Sequence, residues 1–192
     1  KVGGKRKKTR THEEQEEIDS NIPQSIIIKR GRVGKFIRKL VSEMRTVMYP
    51  YTFINLKESD KNNIKDFLSV VDIYGMTHMM MFTNTEKSSY LHFARMPKGP
   101  TITFKIDKYC LSSDIFSSLD KDQQPLTRNF SHIPILIMNG FNNSNIPEEY
   151  DSAIKIVSMM FQSFFPPLNL NEVQIKKCKR VVLVNLDLNN KE

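Results

Sequence analysis

Cysteine is nearly absent from this chain. The two that occur, Cys110 and Cys178, lie 68 positions apart in 192 residues, with neither a second cysteine nor a histidine at ligand spacing. That pattern supports neither a zinc site nor a disulfide framework and points to a reduced intracellular compartment. Long apolar runs are lacking too: none reaches the roughly 20 residues of a membrane-spanning helix, and the basic first residues are not followed by an apolar segment of the secretory type. The expectation is a soluble protein with no membrane partner. Acids are the scarcer sign, 21 against 29 Lys and Arg, for a formal charge of +8. Such a field concentrates nucleic acid or acidic lipid near the surface, so it bears on partners and not on the fold.

Catalytic motifs are missing as well. Gly34-Lys35 is followed by Phe36 where a P-loop needs Ser or Thr beside its Mg²⁺, and no glycine stands five positions earlier. Gly31 to Gly34, GRVG, has the two glycines of a KH-type clamp, but that clamp joins two helices, whereas this stretch follows a strand-like run. Gly31 reads as relief of a turn between strand and helix. His78 and His92 lie in strand-like runs and His132 in a loop, none paired with Ser, Cys or Asp at a motif spacing. Glu58/Asp60 and Glu148/Glu149 read as a loop and a helix start, so a two-metal nuclease would have to gather carboxylates from distant segments. Met79 to Met81 suits gap-filling in a buried strand. The chain reads as non-enzymatic, with no cofactor, no metal and no small-molecule substrate.

What is present is core material and basic charge. With 39% apolar residues and 12 Phe, the length allows one domain or two small halves. The first ten residues carry Lys1, Lys5, Arg6, Lys7, Lys8 and Arg10, a run that serves nuclear import or phosphate contact, or is simply a solvated tail. The acidic stretch His12 to Asp19 forms a short helix or offsets that charge. The folded part begins at PQSIIIK, where Ile26 to Ile28 read as a buried strand. From there Val33, Phe36, Ile37, Leu40, Val41, Met44, Val47 and Met48 recur at helical spacing. Arg32, Lys35, Arg38, Lys39 and Arg45 are assigned to the opposite side of this helix, and Pro50 stops it.

An extended piece at Thr52 to Leu56 and a helix at Asn62 to Val71 follow. Strands MTHMMMFT, SSYLHFAR and TITFKID come next, parted by NTEK and MPKGP. The last third brings a short helix near Ser112 to Leu119, the loop DKDQQPLTRNFS, and PILIMN as a buried strand. A helix opened by Pro147, Glu148 and Glu149 has apolar positions Tyr150, Ala153, Ile154, Val157, Met160, Phe161 and Phe164, stops at Pro166-Pro167, and is followed by a strand at Arg180 to Leu188. Strands interleaved with helices predict an α/β layered architecture. The order strand, amphipathic helix, aromatic-proline stop occurs as SIIIK…VMYPYTFINL and again as PILIMN…FFPPLNLNEV, as two copies of one unit would.

The basic helix is the main functional feature. Residues 25–48 hold Lys29, Arg30, Arg32, Lys35, Arg38, Lys39 and Arg45 against one acid, Glu43. A cationic outer face tracks a phosphate backbone without reading bases. A membrane-surface helix is the rival reading, but the apolar side is needed for a core. In MPKGP, Pro97 and Pro100 remove two backbone donors and Gly99 permits a positive φ, so the turn is a fixed corner. Arg95 and Lys98 are candidate phosphate contacts there, a solvated lysine being the alternative.

Several stretches together resemble one family, the Brix-domain ribosome assembly factors, and within it the Peter Pan/Ssf branch. They are KRKKTRTH at Lys5 to His12, RGRVGKFIRKLVSEMRTVMYPYT at Arg30 to Thr52 and NNIKDFLSVVDIYGMTHMMMFT at Asn62 to Thr83. The likeness continues through RMPKGPTITFKI at Arg95 to Ile106, IPILIMNGF at Ile133 to Phe141 and IVSMMFQSFFPPLN at Ile156 to Asn169. The resemblance implies a Brix fold of two similar α/β halves, each like the anticodon-binding domain of class IIa aminoacyl-tRNA synthetases. In these terms 1–21 is a tail, basic then acidic, and 22–192 the Brix domain, with halves at about 22–96 and 97–192. The resemblance further implies a nucleolar, non-catalytic factor that binds pre-ribosomal RNA and other assembly factors of the large subunit. A protein-interaction scaffold with incidental charge and an RNA-processing nuclease are the alternatives. The family's domain continues to an Arg-His-Tyr-like segment, whereas this chain ends at Asn190-Lys191-Glu192, so the second half is expected to be incomplete. YTFINLKESDK replaces a smaller, more basic stretch, and no RNA contact is assigned to it.

Overall fold

Three adjacent isoleucines cannot all face one side of a strand, because successive side chains alternate. The strand that holds Ile26, Ile27 and Ile28 therefore needs a layer on each face. In the computed structural model, which describes residues 22–59, 61–120, 134–142, 147–166 and 180–188, it has both. The elements run β1 (Ser25–Arg30), α1 (Lys35–Met48), α2 (Ile64–Tyr74), β2 (His78–Asn84), β3 (Ser89–Arg95), β4 (Thr101–Ile106), α3 (Ser112–Ser118), β5 (Ile135–Asn139), α4 (Glu148–Phe164) and β6 (Val181–Asn185). One sheet has the order β1-β2-β3-β4, with β1 and β2 parallel and the other pairs antiparallel; β5 and β6 form a second, parallel pair.

Ile27 faces α1 and α4, in a core with Met80, Phe82, Phe93, Ile37, Val41, Met160 and Phe164. Ile26 and Ile28 face α2, against Phe67, Val71 and Met79. The core of the first sheet is completed from far along the chain: the Phe164 ring meets Phe93 edge-on at 4.8 Å and His78 at 5.4 Å. Burying each such aromatic contributes about 1.5–3 kcal/mol by transfer from water alone. Leu136 of β5 and Val182 of β6 pack on the same core, so the second sheet shares the core of the first.

Local signals set the boundaries. Gly31 at φ +71° turns the chain out of β1, and extended Gly34 begins α1, so Arg32 lies in the turn and not on the helix. Asn63 and Asp66 form a reciprocal capping box at the start of α2, and Gly75 at φ +61° ends it. The segment expected as extended at Thr52 to Leu56 makes one bridge to the sheet, Thr52 with Ser25.

The structure corrects several expectations. PILIMN is not buried on both sides: Ile137 of β5 and Val181 and Leu183 of β6 are exposed. On α4, Ile154, Met160 and Phe164 are buried as expected, but Tyr150 and Ala153 are exposed. Phe36, assigned to the apolar stripe of α1, is 63% exposed. It lies about 100° around the helix from Ile37, just past the edge of the stripe.

The largest correction is Arg45, assigned to the cationic face. It is buried, in line with Ile37 and Val41 at intervals of four. The outer edge of β1 explains why. Among the described residues β1 is the outer strand of its sheet, so side chains take the place of a ladder at the Ile27 carbonyl and the Lys29 N–H, where a buried backbone group left unmet would be costly. Arg45 Nε and Nη2 donate to Ile27 O at 3.0 and 2.8 Å, and Arg45 Nη1 donates to Leu56 O at 3.0 Å. Glu58 Oε2 accepts the Lys29 N–H at 3.1 Å and its other oxygen pairs with Arg45. The ion pair stands in for the missing strand. Burial pushes the Glu58 carboxyl above its ordinary value, while Arg45 and the Lys29 N–H pull the other way.

Candidate nucleic-acid interface

The start of α1 breaks the usual rule for helix ends. No acid stands in its first turn and no side chain caps it; Lys35 and Arg38 sit there, beside the positive end of the helix dipole. Cations at that end cost a few tenths of a kcal/mol each. The same arrangement attracts anions strongly. Arg30, Arg32, Lys35, Arg38 and Lys39 are all exposed, so the end of β1, the turn after it and the first turns of α1 are rich in solvent-facing cations. Exposed Phe36 stands within it, a flat apolar ring among cations that helical periodicity alone assigns to the core. Lys29 and Arg38 line a hollow of about 190 Å³ whose other walls include Arg45 and Glu58. Arg45 itself is spent on the β1 edge and is removed from the phosphate-contact set. The one acid of the segment, Glu43, is half-buried and engaged with Ser112.

Arg95 and Lys98 lie elsewhere. In the strand register Arg95 pairs with His78 and Arg30 with Thr83, at opposite ends of β2. Five residues of strand place the two groups about 17 Å apart along the sheet. The MPKGP turn is a fixed corner, held by Arg95 N–H to Pro100 O at 3.1 Å and Gly99 N–H to Arg95 O at 3.0 Å, with Lys98 exposed at its tip. Gly99 is not at positive φ as expected. It is required by close approach, since a Cβ there would lie 2.6 Å from Arg95 Cβ and 2.8 Å from Arg95 O. Arg95 also lines a groove of about 490 Å³ with Pro100, Ile156, Met159 and Ser163.

His78 and His92 are satisfied by hydroxyls. His78 is buried, its Nε2 hydrogen-bonded with Ser163 Oγ at 3.0 Å and its Nδ1 with Thr77 Oγ1 at 2.8 Å. Burial, with the Arg95 charge adding to it, holds its pKa down to about 4, so the ring is neutral at physiological pH. His92 lies between Thr83 and Thr103, bonded to each hydroxyl at 2.9 Å, and burial and Arg30 lower it as well. Among the described residues no group of three or more His, Cys, Asp or Glu side chains converges as a metal site would. Glu148, Glu149 and Asp151 occupy the first turn of α4, where the helix dipole favours them. No helix of the described residues is long and apolar enough to cross a membrane. The basic tail residues Lys5, Arg6, Lys7, Lys8 and Arg10, like His132, fall outside the described residues.

The Brix domain family matches residues 31–192. Among curated proteins, this chain is 35% identical over 170 residues to the Peter Pan-like protein of Arabidopsis thaliana, covering 88% of this chain and 47% of that protein. It is 36% identical over 192 residues to ribosome biogenesis protein SSF1 of Saccharomyces cerevisiae (95% and 42%). To protein Peter pan of Drosophila melanogaster it is 34% identical over 196 residues (99% and 41%). The chain thus spans less than half the length of these relatives. Among solved structures it is similar to the crystal structure of a probable ribosomal biogenesis protein from Aeropyrum pernix K1. The TM-score is 0.53 at 11% identity, over 85% of this chain and 82% of that one, a likeness of fold.

Proposed function

The chain belongs to the Brix-domain family, and from that premise we propose that it is a pre-rRNA-binding assembly factor for maturation of the large ribosomal subunit, a non-catalytic scaffold acting in the nucleolus with other assembly factors. The observation that carries the reading is the exposed cluster Arg30, Arg32, Lys35, Arg38 and Lys39 at the uncapped start of α1. Sequence-independent phosphate contacts need cationic side chains of this kind, exposed and held on a rigid element. Arg95 and Lys98 form a separate contact at the other end of the sheet, and the tail's Lys5, Arg6, Lys7, Lys8 and Arg10 a third.

We read the chain as two related halves, about 22–96 and 97–192, preceded by the tail at 1–21, each half on the pattern of a class IIa anticodon-binding domain. Two units support this, β1–α1 and β5–α4, each with a parallel partner strand later in the chain, β2 and β6.

In-cell crosslinking with RNA sequencing tests the assignment: crosslinks are expected on precursor RNA of the large subunit, and their concentration on messenger RNA would overturn it. Affinity for an rRNA fragment should fall steeply with salt. Salt-independent association with proteins alone would favour the scaffold alternative, for which the groove beside Arg95 and the exposed Ile156 and Met159 are the natural site. Metal-dependent cleavage of the fragment by purified protein would favour the nuclease.

A further inference from the structure

The fold covers the two faces of the first sheet unequally. One face carries α1 and α4. On the other, α2 packs over Ile26, Ile28 and Met79, with Met81 and Ala94 at its margin. Beyond that margin the strand register aligns Arg30, Thr83, Tyr90 and Lys105 in one row across all four strands, and directly opposed residues share a face. The neighbouring row contains His92 and Thr103, and the hydrogen bonds of the His92 ring with the Thr83 and Thr103 hydroxyls tie the two rows together on that face. Arg30, Thr103 and Lys105 are exposed, and Thr83, Tyr90 and His92 half-buried.

We propose that this end of the sheet is a platform for single-stranded RNA, on which a base stacks against Tyr90 while Arg30 and Lys105, on the two outer strands, take the flanking phosphates. The inference rests on the RNA-binding reading above and adds to it a second surface and a strand preference. Three strand spacings separate the two cations, about 14 Å with the aromatic ring between them. Aromatic side chains on a sheet stack unpaired bases, and cations beside them follow the backbone. Thr83 and Thr103 supply hydroxyls beside the ring for base edges or the ribose. A duplex presents no free base face to such a row, and an acidic peptide would meet the cations but leave the ring unused. Lys105 is paired with Asp107 at 3.2 Å, both groups exposed; an ion pair of that kind contributes little, and a phosphate replaces it readily. Arg30 leads through Gly31 directly into Arg32 and α1, so the platform and the cationic cluster are continuous.

The chain contains no tryptophan, so Tyr90→Trp introduces a single reporter at the centre of the row. Full chain carrying it is titrated with oligouridylate and with an RNA duplex of equal length. Quenching is expected with the single strand and not with the duplex. Tyr90→Ala should weaken single-strand binding by about 5- to 150-fold, the range for losing one stacked base, with the salt slope unchanged, whereas Lys105→Ala should flatten that slope by roughly 0.7. Should Tyr90→Ala unfold, Tyr90→Phe, which keeps the ring, must retain wild-type affinity, and the tryptophan signal decides. Binding without quenching, or an unaltered affinity in folded Tyr90→Ala, overturns the platform. If in that case Lys35→Ala/Arg38→Ala/Lys39→Ala still weakens binding, the RNA reading stands without it. A wild-type chain that binds neither RNA overturns both.

Discussion

Glu43 on α1 accepts two hydrogen bonds from Ser112, the backbone N–H at 2.9 Å and the hydroxyl at 2.8 Å, across 69 positions of chain. Ser112 opens α3, whose N-cap residue is Leu111, an apolar side chain that accepts nothing. Glu43 thus caps a helix that cannot cap itself, and the single acid of the basic segment is turned to structural use. Glu43→Ala should cost about 1–2 kcal/mol, as loss of a good cap does, measured by urea unfolding. The salt slope of RNA binding should not change.

Arg45→Ala should destabilise the protein by about 3–5 kcal/mol, because it leaves the buried Glu58 unpaired and the Ile27 carbonyl without its donor. A loss below about 1 kcal/mol would show that water substitutes at the β1 edge. Where the variant remains folded, its RNA affinity should match the wild type.

Lys35, Arg38 and Lys39 should behave in the opposite way. Each is exposed, and exposed substitutions of this kind usually stay within about 0.5 kcal/mol. The triple alanine variant should keep its thermal midpoint while the slope of log affinity against log salt flattens by roughly 0.7–0.9 per residue removed. Sequence preference should hardly move. A folded variant with the wild-type slope would place the RNA elsewhere.

His78 gives the fold a pH limit. Its pKa lies near 4 in the folded chain against 6.5 when unfolded, so the depressed value stabilises the fold above about pH 6.5. That contribution is lost progressively as pH falls toward 4, where the unfolded chain has already taken up the proton. The full effect is about 3 kcal/mol. Urea midpoints across this range should fall for the wild type, and the difference from His78→Gln should shrink with pH. A constant difference would refute the assignment.

Gly99→Ala tests the corner between β3 and β4. The added methyl collides with Arg95 Cβ and O, so the turn must shift, at about 1–3 kcal/mol by analogy with overpacked sites. Lys98 and Arg95 would move with it. An unchanged thermal midpoint would mean the corner yields freely.

Much of this was legible in the sequence. The Ile26 to Ile28 run demanded a strand covered on both faces, Gly31 and Pro50 bracketed α1, and the density of Lys and Arg between residues 25 and 48 marked where exposed positive charge gathers. These are local matters, fixed by side-chain alternation, backbone freedom and charge. Even the burial of Arg45 had a sign, its place four residues beyond Val41, although nothing local says why an arginine should sit on an apolar stripe.

Tertiary structure decided the rest, because periodicity gives the direction of a side chain and not what waits there. The bare edge of β1 drew Arg45 inward through unpaired backbone groups, while the first turn of α1 left Phe36 in solvent. Gly99 is needed through contact with Arg95, not through its own φ. Arg95 and Lys98 were parted from the basic helix by the length of β2. The row Arg30, Thr83, Tyr90, Lys105 exists only because β1, from far earlier in the chain, pairs in parallel with β2 of the consecutive strands β2, β3 and β4, and that register is set by hydrogen bonds between segments that the sequence does not place side by side.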